Sequence, residues 1–207
     1  MLFRSADIKT FAALGVYGMS VVTAVTAQNS VQVVGVEAMT VEFVELQLQA
    51  VLADYGATAA KTGFIGRADL IEAIAAKLAE FRSRNVVVDP VLVNHRGVGM
   101  FTDDVVRAYI NHLLPLAALV TPNLQEAALL AGREVDGTAG MRAAARSIQG
   151  LGPQRVLVSG GRSGDEAVDV LFDGHETVEL RSPWIQSDNT HGSGDTLSAA
   201  VTALLAR

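Results

Sequence analysis

Short runs of β-branched residues alternate along the chain with longer, alanine-rich stretches. In the longer stretches the apolar residues recur at three- and four-residue spacing, which predicts amphipathic helices. The predicted helices cover 5–14, 40–53, 67–82, 102–114, 123–131 and 138–149, and a last helix starts just after Gly194. The predicted strands cover 18–26, 31–36, 59–65, 85–89, 117–120, 154–158, 167–172 and 175–180.

This order of elements predicts an α/β fold. Strands that alternate with helices of 10 to 15 residues form βαβ units and a mostly parallel sheet. We therefore expect a three-layer αβα architecture with helices on both faces of the sheet. The apolar run 18–26 is expected to be a buried strand, and Asp173-Gly174 is expected to turn a hairpin between the last two strands.

Composition narrows the function classes. The chain has 207 residues, of which 50% are hydrophobic, and a net charge of −6. This length predicts a single domain over 1–207, and the apolar content excludes disorder. The negative charge leaves no basic face for nucleic acid, and no apolar run approaches the length of a bilayer span. The absence of cysteine excludes disulfides and thiolate chemistry and favours a cytoplasmic protein.

Polar and glycine-rich segments follow the predicted strands. Ligands of such sheets bind outside the carboxyl ends of the strands, so these segments are the candidate site. They are Gln28-Asn29, Thr62-Gly63-Phe64, Asp89-Pro90-Val91, Thr121-Pro122-Asn123 and Ser159-Gly160-Gly161.

The segment 189–196 carries the strongest chemical signal. Gly192-Ser193-Gly194 feeds a helix, so several backbone N–H groups are exposed where the helix dipole is positive. A phosphoryl group could be held there. Asp195 falls in the first turn, where its carboxylate would be stabilised as the anion and could accept the proton of an attacking hydroxyl. An ordinary helix start with an acidic first turn explains the same residues.

Three further segments each have two interpretations. Asn123 and Glu126 could orient Mg²⁺ near nucleotide phosphates, but their spacing is also that of a capping box. Asp89 could bind a metal-bound water, or it could start a turn before Pro90. The amide of Gln28 could pair with a heterocycle, or it could satisfy loop backbone groups.

Longer stretches carry a family resemblance. They are 6–30, KTGFIG at 61–66, VVVDPVLV at 86–93, LVTPNLQEAALLAG at 119–132 and NTHGSGDTLSAA at 189–200. With them the chain resembles bacterial hydroxymethylpyrimidine/phosphomethylpyrimidine kinases of the ribokinase-like superfamily, enzymes of thiamine biosynthesis. The resemblance implies a ribokinase-like fold, a small pyrimidine substrate, ATP and Mg²⁺ as cofactors, and a homodimer.

The resemblance also implies roles for individual residues. Asp195 would be the catalytic base, at a position where the family often has cysteine, and the backbone of 192–194 would form the anion hole. On the substrate side, the implied residues are Gln28, Asp7, Phe64 and Val91. On the nucleotide side, they are Asn123, Glu126, Thr190, His191, Ser159 and Gly160, with Asp89 and Glu126 at the metal.

The chain departs from the family pattern in three places. Ser159 stands where the family usually has a lysine. The family's first strand with its glycine-rich loop and its last helices find no counterpart, so the sequence is expected to be truncated at both ends. Two alternatives therefore stay open: a pyridoxal or sugar kinase of the same superfamily, and a non-catalytic fragment that binds the pyrimidine.

Overall fold

The computed structural model describes residues 2–29, 32–94, 99–187 and 190–207. The helices are α1 (Leu2–Ala13), α2 (Val41–Asp54), α3 (Ala68–Glu80), α4 (Asp103–Ala108), α5 (Leu124–Ala131), α6 (Gly137–Gln149) and α7 (Ser193–Leu205). The strands are β1 (Ala24–Gln28), β2 (Val33–Ala38), β3 (Ala60–Thr62), β4 (Val86–Val88), β5 (Ala117–Val120), β6 (Val156–Ser163), β7 (Glu166–Phe172) and β8 (Thr177–Pro183).

Six of these strands form one sheet in the order β3-β4-β5-β6-β7-β8. The pairs from β3 to β6 are parallel, and β7 and β8 add antiparallel strands at one edge. The predicted hairpin between the last two strands is confirmed, with β7 and β8 paired throughout. The mostly parallel α/β sheet is therefore as the sequence predicts.

Both faces of the sheet are covered, as the apolar strands require. Val86 and Val88 belong to the large apolar core on one face. Val87, which alternates with them, packs on the other face in a smaller cluster that Leu197 and Val201 of α7 adjoin. Helices thus lie on both sides of β4, which is fully buried. None of the helices within the described residues is long and apolar enough to cross a membrane.

The predicted buried strand 18–26 is wrong in extent and in environment. The strand begins only at Ala24 and pairs with β2 in a separate two-stranded antiparallel sheet. Most of its residues, and nearly all of β2, are partly or fully exposed. β-branched residues favour extended backbone, but they do not determine which sheet a strand joins. Val31, which the prediction placed in the next strand, lies outside the described residues.

The predicted single helix over 102–114 is also wrong. α4 ends at Ala108 and continues as a π-helical turn, Tyr109–Leu113, and a short 3₁₀ segment, Leu114–Leu116. Tyr109 is fully buried in this turn, and its hydroxyl donates to the carbonyl oxygen of Gly63 at 3.3 Å. Pro115 lacks the N–H that a continuing α-helix would need. The spacing of apolar residues does not distinguish an α-helix from such a change of helix type, so the sequence pattern could not predict it.

The segment Ser159-Gly160-Gly161 does not follow a strand but lies inside one. β6 runs on to Ser163, and its pairing with β7 is irregular between Val158 and Gly161. The glycines permit this bulge: Gly160 has a φ of +85°, and a Cβ on Gly161 would lie 2.5 Å from the sulfur of Met141. The strand therefore bends at the level where the parallel strands end.

Candidate functional site

Four charged side chains from four different elements meet at the carboxyl edge of the sheet. Lys61 comes from β3, Asp89 follows β4, Asp7 lies on α1 and Asp195 lies on α7. The sequence predicts the position of Asp89 at this edge, because a parallel sheet places its strand ends together. The structure brings the three predicted acids to one ammonium group.

Lys61 is the centre of this cluster. Its side chain is 3% exposed, and its Nζ lies 3.1 Å from a carboxylate oxygen of Asp7. The same Nζ lies 3.6 Å from Oδ2 of Asp89 and 3.6 Å from Oδ1 of Asp195. Three carboxyl groups therefore surround one buried ammonium group. Unlike a simple ion pair, the cluster has more acidic groups than basic ones.

Asp195 occupies the first turn of α7, as predicted. The turn is set by Gly192, which precedes the helix with a φ of +83°, a left-handed conformation that favours glycine. Gly194 has open space where a Cβ would be, and the first N–H groups of a helix have no intrahelical acceptor. The Ser193 N–H donates to the Thr190 carbonyl oxygen at 3.1 Å. The start of α7 thus presents the N–H groups of Gly194 and Asp195 beside a buried carboxyl.

The protonation of Asp195 differs from the prediction that the helix N-terminus favours the anion. Burial raises its pKa to about 6; the charge on Lys61 opposes the rise, and the nearby Asp89 and Asp7 add to it. Burial is the largest cause because the residue is only 6% exposed. A carboxyl with this pKa is mostly ionised at neutral pH and takes up a proton readily, which suits a general base.

Asp89 is held by α7 as well as by Lys61. Ser198, one turn after Asp195, donates a hydrogen bond from Oγ to Oδ2 of Asp89 at 2.8 Å. Burial raises the pKa of Asp89, while Lys61 and the Ser198 hydroxyl lower it. The carboxyl groups of Asp7 and Asp89 both have raised pKa values with burial as the first cause. The side chains of Lys61, Asp89 and Asp195 are at most 10% exposed, whereas that of Asp7 is 20% exposed.

Asn123 and Glu126 form a complete capping box at the start of α5, which confirms the structural alternative for this spacing. The Asn123 side chain accepts from the Glu126 N–H, and Glu126 Oε2 accepts from the Asn123 N–H, both at 3.0 Å. Glu126 Oε1 accepts from the Leu92 N–H at 3.1 Å. Burial raises the pKa of Glu126 to about 7. Capping does not exclude a second role, since each carboxylate oxygen has a further lone pair.

The oxygen donors fit Mg²⁺ only as part of a shared site. In the ranges that the structure describes, no group of three or more acidic or histidine residues could hold a metal ion. Mg²⁺ commonly takes one or two carboxylates from the protein and the rest of its ligands from water and phosphates. Asp89 and Glu126 are a donor pair of that kind, and the charge on Asp89 contributes to the raised pKa of Glu126.

A cavity of about 790 Å³ opens beside the cluster. Asp7, Lys61 and Phe64 are among the residues that line it. The ring of Phe64 packs against Phe101, with ring centroids 5.6 Å apart. The predicted substrate-side residues Asp7 and Phe64 are thus brought together on the wall of one cavity.

Gln28 stands at the end of β1 with an unused acceptor. Its Oε1 is buried and has no hydrogen-bond partner among the described residues. The Oγ1 of Thr26, which is two residues earlier on the same side of β1 and lines the cavity, is likewise buried and without a partner. Buried polar atoms are nearly always paired, so these two are candidate ligand contacts. The alternative was that the Gln28 amide forms hydrogen bonds with backbone groups of the loop. Among the described residues, Oε1 accepts no such bond.

The remaining predicted residues lie just after β4, within β6 and just before α7. Val91 is half-buried just after β4, and Ser159 lies beside Asn123, where its N–H donates to Pro122. The N–H of Gly160 donates to Asp169 at 3.0 Å. Thr190 and His191 are exposed before α7. Asn189, which belongs to the predicted motif, lies outside the described residues.

Sequence reasoning missed Lys61, Thr26 and Ser198 as site residues. A lysine in a strand of three residues is a weak signal, although a charged residue that is buried there needs a partner. The only sequence signal for Thr26 and Ser198 is that they lie within three residues of Gln28 and Asp195. Their contacts depend on the packing of separate elements.

Known proteins resemble this chain over almost its whole length. The family model described as phosphomethylpyrimidine kinase matches residues 4–207. A hydroxymethylpyrimidine/phosphomethylpyrimidine kinase of Rhizobium meliloti is 48% identical over 204 residues, which are 98% of this chain and 76% of that protein.

Solved structures agree with the fold. A Bacillus subtilis pyridoxal kinase in complex with ADP is 38% identical with a TM-score of 0.90, covering 97% of this chain and 77% of that one. A Clostridium difficile phosphomethylpyrimidine kinase is 35% identical with a TM-score of 0.86, covering 97% and 83%. The fold is therefore that of ribokinase-like vitamin kinases. With the match over residues 4–207 and the buried acid at the start of α7, the chain belongs to the phosphomethylpyrimidine kinase family.

Proposed function

We propose that this chain transfers the γ-phosphoryl group of ATP to 4-amino-5-hydroxymethyl-2-methylpyrimidine and then to its monophosphate, in thiamine biosynthesis. The observation that carries the proposal is the buried Asp195 beside the open N-terminus of α7. An acid and a row of backbone donors at one point are the parts that phosphoryl transfer to an alcohol requires.

The chemistry follows from that arrangement. Asp195 takes the proton of the substrate hydroxyl as the hydroxyl oxygen bonds to the γ-phosphorus. The bond from the γ-phosphorus to the bridging oxygen breaks, and ADP leaves. The backbone of Gly192, Ser193 and Gly194 would hold the transferred group, because N–H groups at a helix start stabilise negative charge. The Ser193 N–H would exchange its bond to the Thr190 carbonyl oxygen for one to the phosphoryl oxygen.

The substrate side rests on the cavity and on the unused acceptors. Gln28 Oε1 and Thr26 Oγ1 would accept hydrogen bonds from an amino group on the heterocycle, which supplies N–H donors. Phe64 and Val91 would contact the ring, and Asp7 would face the substrate from α1. A sugar offers no aromatic face for Phe64, so this wall favours a heteroaromatic alcohol.

The nucleotide side is assigned to the ends of β4, β5 and β6. The proposed nucleotide contacts are Asn123, Glu126, Ser159, Gly160, Thr190 and His191. Mg²⁺ held by Asp89 and Glu126 would neutralise phosphate charge when bound. The ADP complex of the Bacillus subtilis relative supports use of an adenine nucleotide by this fold. The homodimer and the cytoplasmic location stay predictions.

A substrate panel tests the proposal. The full chain is incubated with Mg²⁺, ATP and hydroxymethylpyrimidine, pyridoxal or ribose, and ADP release and phosphorylated products are measured. We expect turnover with the pyrimidine and a second phosphorylation of its product. Turnover confined to pyridoxal would support the pyridoxal-kinase alternative, and pyrimidine binding without any turnover would support the binding fragment.

A matched pair of variants tests the substrate side. Gln28→Leu is expected to weaken pyrimidine binding by about tenfold, since it removes one hydrogen bond to the ligand and Gln28 Oε1 has no partner among the described residues. Gln49→Leu, on the exposed side of α2, is the control and is expected to bind normally. Equal binding by both variants would contradict the role of Gln28.

A further inference from the structure

Lys61 contacts more of the proposed machinery than any residue assigned above, yet it has no role in the chemistry so far. We propose that Lys61 is a positioning residue of the phosphoryl transfer: its ammonium holds Asp7, on the substrate side, and Asp195, on the phosphate side, at a fixed separation. This inference rests on the proposed function and adds a residue to it.

The distances show how one ammonium serves two carboxylates differently. Lys61 donates a hydrogen bond to Asp7 at 3.1 Å, so Asp7 is held directly. The separation of 3.6 Å from Asp195 is that of an ion pair and lies beyond ordinary hydrogen-bond length. Asp195 is therefore attracted to a fixed place while its oxygens keep the lone pairs that must accept the substrate proton.

Lys61 forms ion pairs with acids on two different helices. Asp7 lies on α1 and Asp195 on α7, and these helices pack against each other near Gly192, where a Cβ would lie 4.0 Å from Ala6. Lys61 comes from the sheet beneath them. Within the part of the chain that the structure describes, its side chain is the one recorded in ion pairs with all three acids.

Lys61 also lies between the proposed substrate side of the site and its proposed phosphate side. Asp7 and Lys61 line the cavity of about 790 Å³, whereas Asp195 lies at the start of α7 beyond it. The ammonium of Lys61 therefore links an acid on the cavity wall to the proposed base. Fixing the base relative to the substrate matters because small displacements of reacting groups slow a reaction steeply.

Removal of the ammonium tests the proposal. Lys61→Met keeps most of the side chain, which becomes one atom shorter, and removes its charge. We expect kcat for the pyrimidine to fall by about 100-fold, while the KM for ATP changes little. Lys77→Met is the matched control: Lys77 lies on α3 and pairs with Glu80 at the surface, so its loss should leave both constants unchanged.

Chemical rescue separates positioning from a purely structural role. In Lys61→Ala, ethylammonium added to the assay is expected to restore much of the lost kcat, because the cavity gives access to the vacated place. Ethanol of the same size should not. Loss of stability alone would lower the amount of folded protein and would not respond to the cation.

A double variant measures the coupling between the two groups. If Lys61 acts through Asp7, the combined kcat loss of Asp7→Asn and Lys61→Met should be smaller than the product of the separate losses. If Lys61→Met does not fold, Lys61→Arg supplies the test: it keeps the charge but displaces the acids, and a lower kcat is expected with normal unfolding.

The outcomes distinguish this inference from the proposed function. Wild-type turnover together with unchanged kcat in Lys61→Met, or in a folded Lys61→Arg, would overturn the role of Lys61 and leave the kinase assignment standing. Absence of wild-type turnover with every alcohol in the panel would overturn both. Equal rescue by ethanol and ethylammonium would reduce Lys61 to a packing role.

Discussion

Ser198 and Asp89, 109 residues apart, are joined by a hydrogen bond of 2.8 Å from the serine hydroxyl to the carboxylate. The bond connects the helix that carries the proposed base to the strand end that carries the proposed metal ligand. Both residues are buried, so water cannot replace either partner at low cost.

Ser198→Ala is expected to lower the free energy of unfolding by about 1–3 kcal/mol, because it leaves a buried carboxylate oxygen without its donor. The measurement is denaturant unfolding at neutral pH. Ser147→Ala is the control: its exposed hydroxyl donates only to the carbonyl oxygen of Ala143 one turn earlier, so little change is expected. A similar loss in both variants would show that the serine hydroxyl contributes through its helix and not through Asp89.

The pH dependence of kcat/KM should report the titration of Asp195. A base with a pKa of about 6 loses activity as the pH falls, because protonation removes its acceptor. We expect the rate at pH 5 to be about tenfold below the plateau. In Asp195→Asn the rate should be about 10²–10⁴-fold lower and nearly independent of pH in this range.

Asp103→Asn provides the comparison for the pH profile. Asp103 also lies in the first turn of a helix, α4, but its side chain is exposed, unlike the buried Asp195. Its variant should keep the wild-type profile. An acid limb that survives in Asp195→Asn would assign the titration to another group.

The buried Glu126 should make stability depend on pH. Its pKa is about 7 in the folded protein and near 4.5 when exposed, so the folded state binds the extra proton between these values. Stability should therefore decrease as the pH rises from about 4.5 to 7, by up to ~3 kcal/mol from this group.

Unfolding measured across this range without divalent metal checks the sign. Glu126→Gln should be less stable overall, since it loses an acceptor of the capping box, but its decline with pH should be shallower than that of the wild type. If the free energy of unfolding falls with pH at the same slope in both proteins, the pH dependence comes from the other buried acids.

The bulge in β6 should tolerate no side chain at Gly161. A Cβ there would lie 2.5 Å from the Met141 sulfur and 2.7 Å from the Val168 carbonyl oxygen. Gly161→Ala is expected to cost about 1–3 kcal/mol of stability, as overpacking does. Gly35→Ala, in β2 with open space around it, is the control and should be nearly neutral in thermal unfolding. Equal melting temperatures for both would show that the strand can shift.

Local signals were sufficient where one element decides the structure. The capping box at Asn123 and the first-turn position of Asp195 follow from spacing within a single helix, and both are found. The position of β1 could not be predicted, because its β-branched residues fit a central strand as well as the exposed hairpin they form. The role of Lys61 was hidden for a related reason: its partners lie 54 residues before it, 28 after it and 134 after it, on three other elements.

A row of buried polar residues along α7, here called the polar spine, limits how the length of this segment can change in evolution. Asp195, Ser198 and Thr202 face inward at helical spacing, and the Thr202 hydroxyl donates to the Ser198 carbonyl oxygen at 2.7 Å. Each residue of an α-helix is rotated by about 100° from the last. Inserting or deleting one residue between Asp195 and Thr202 would therefore turn one end of the spine towards solvent. Related sequences should show substitutions in this stretch but keep its length.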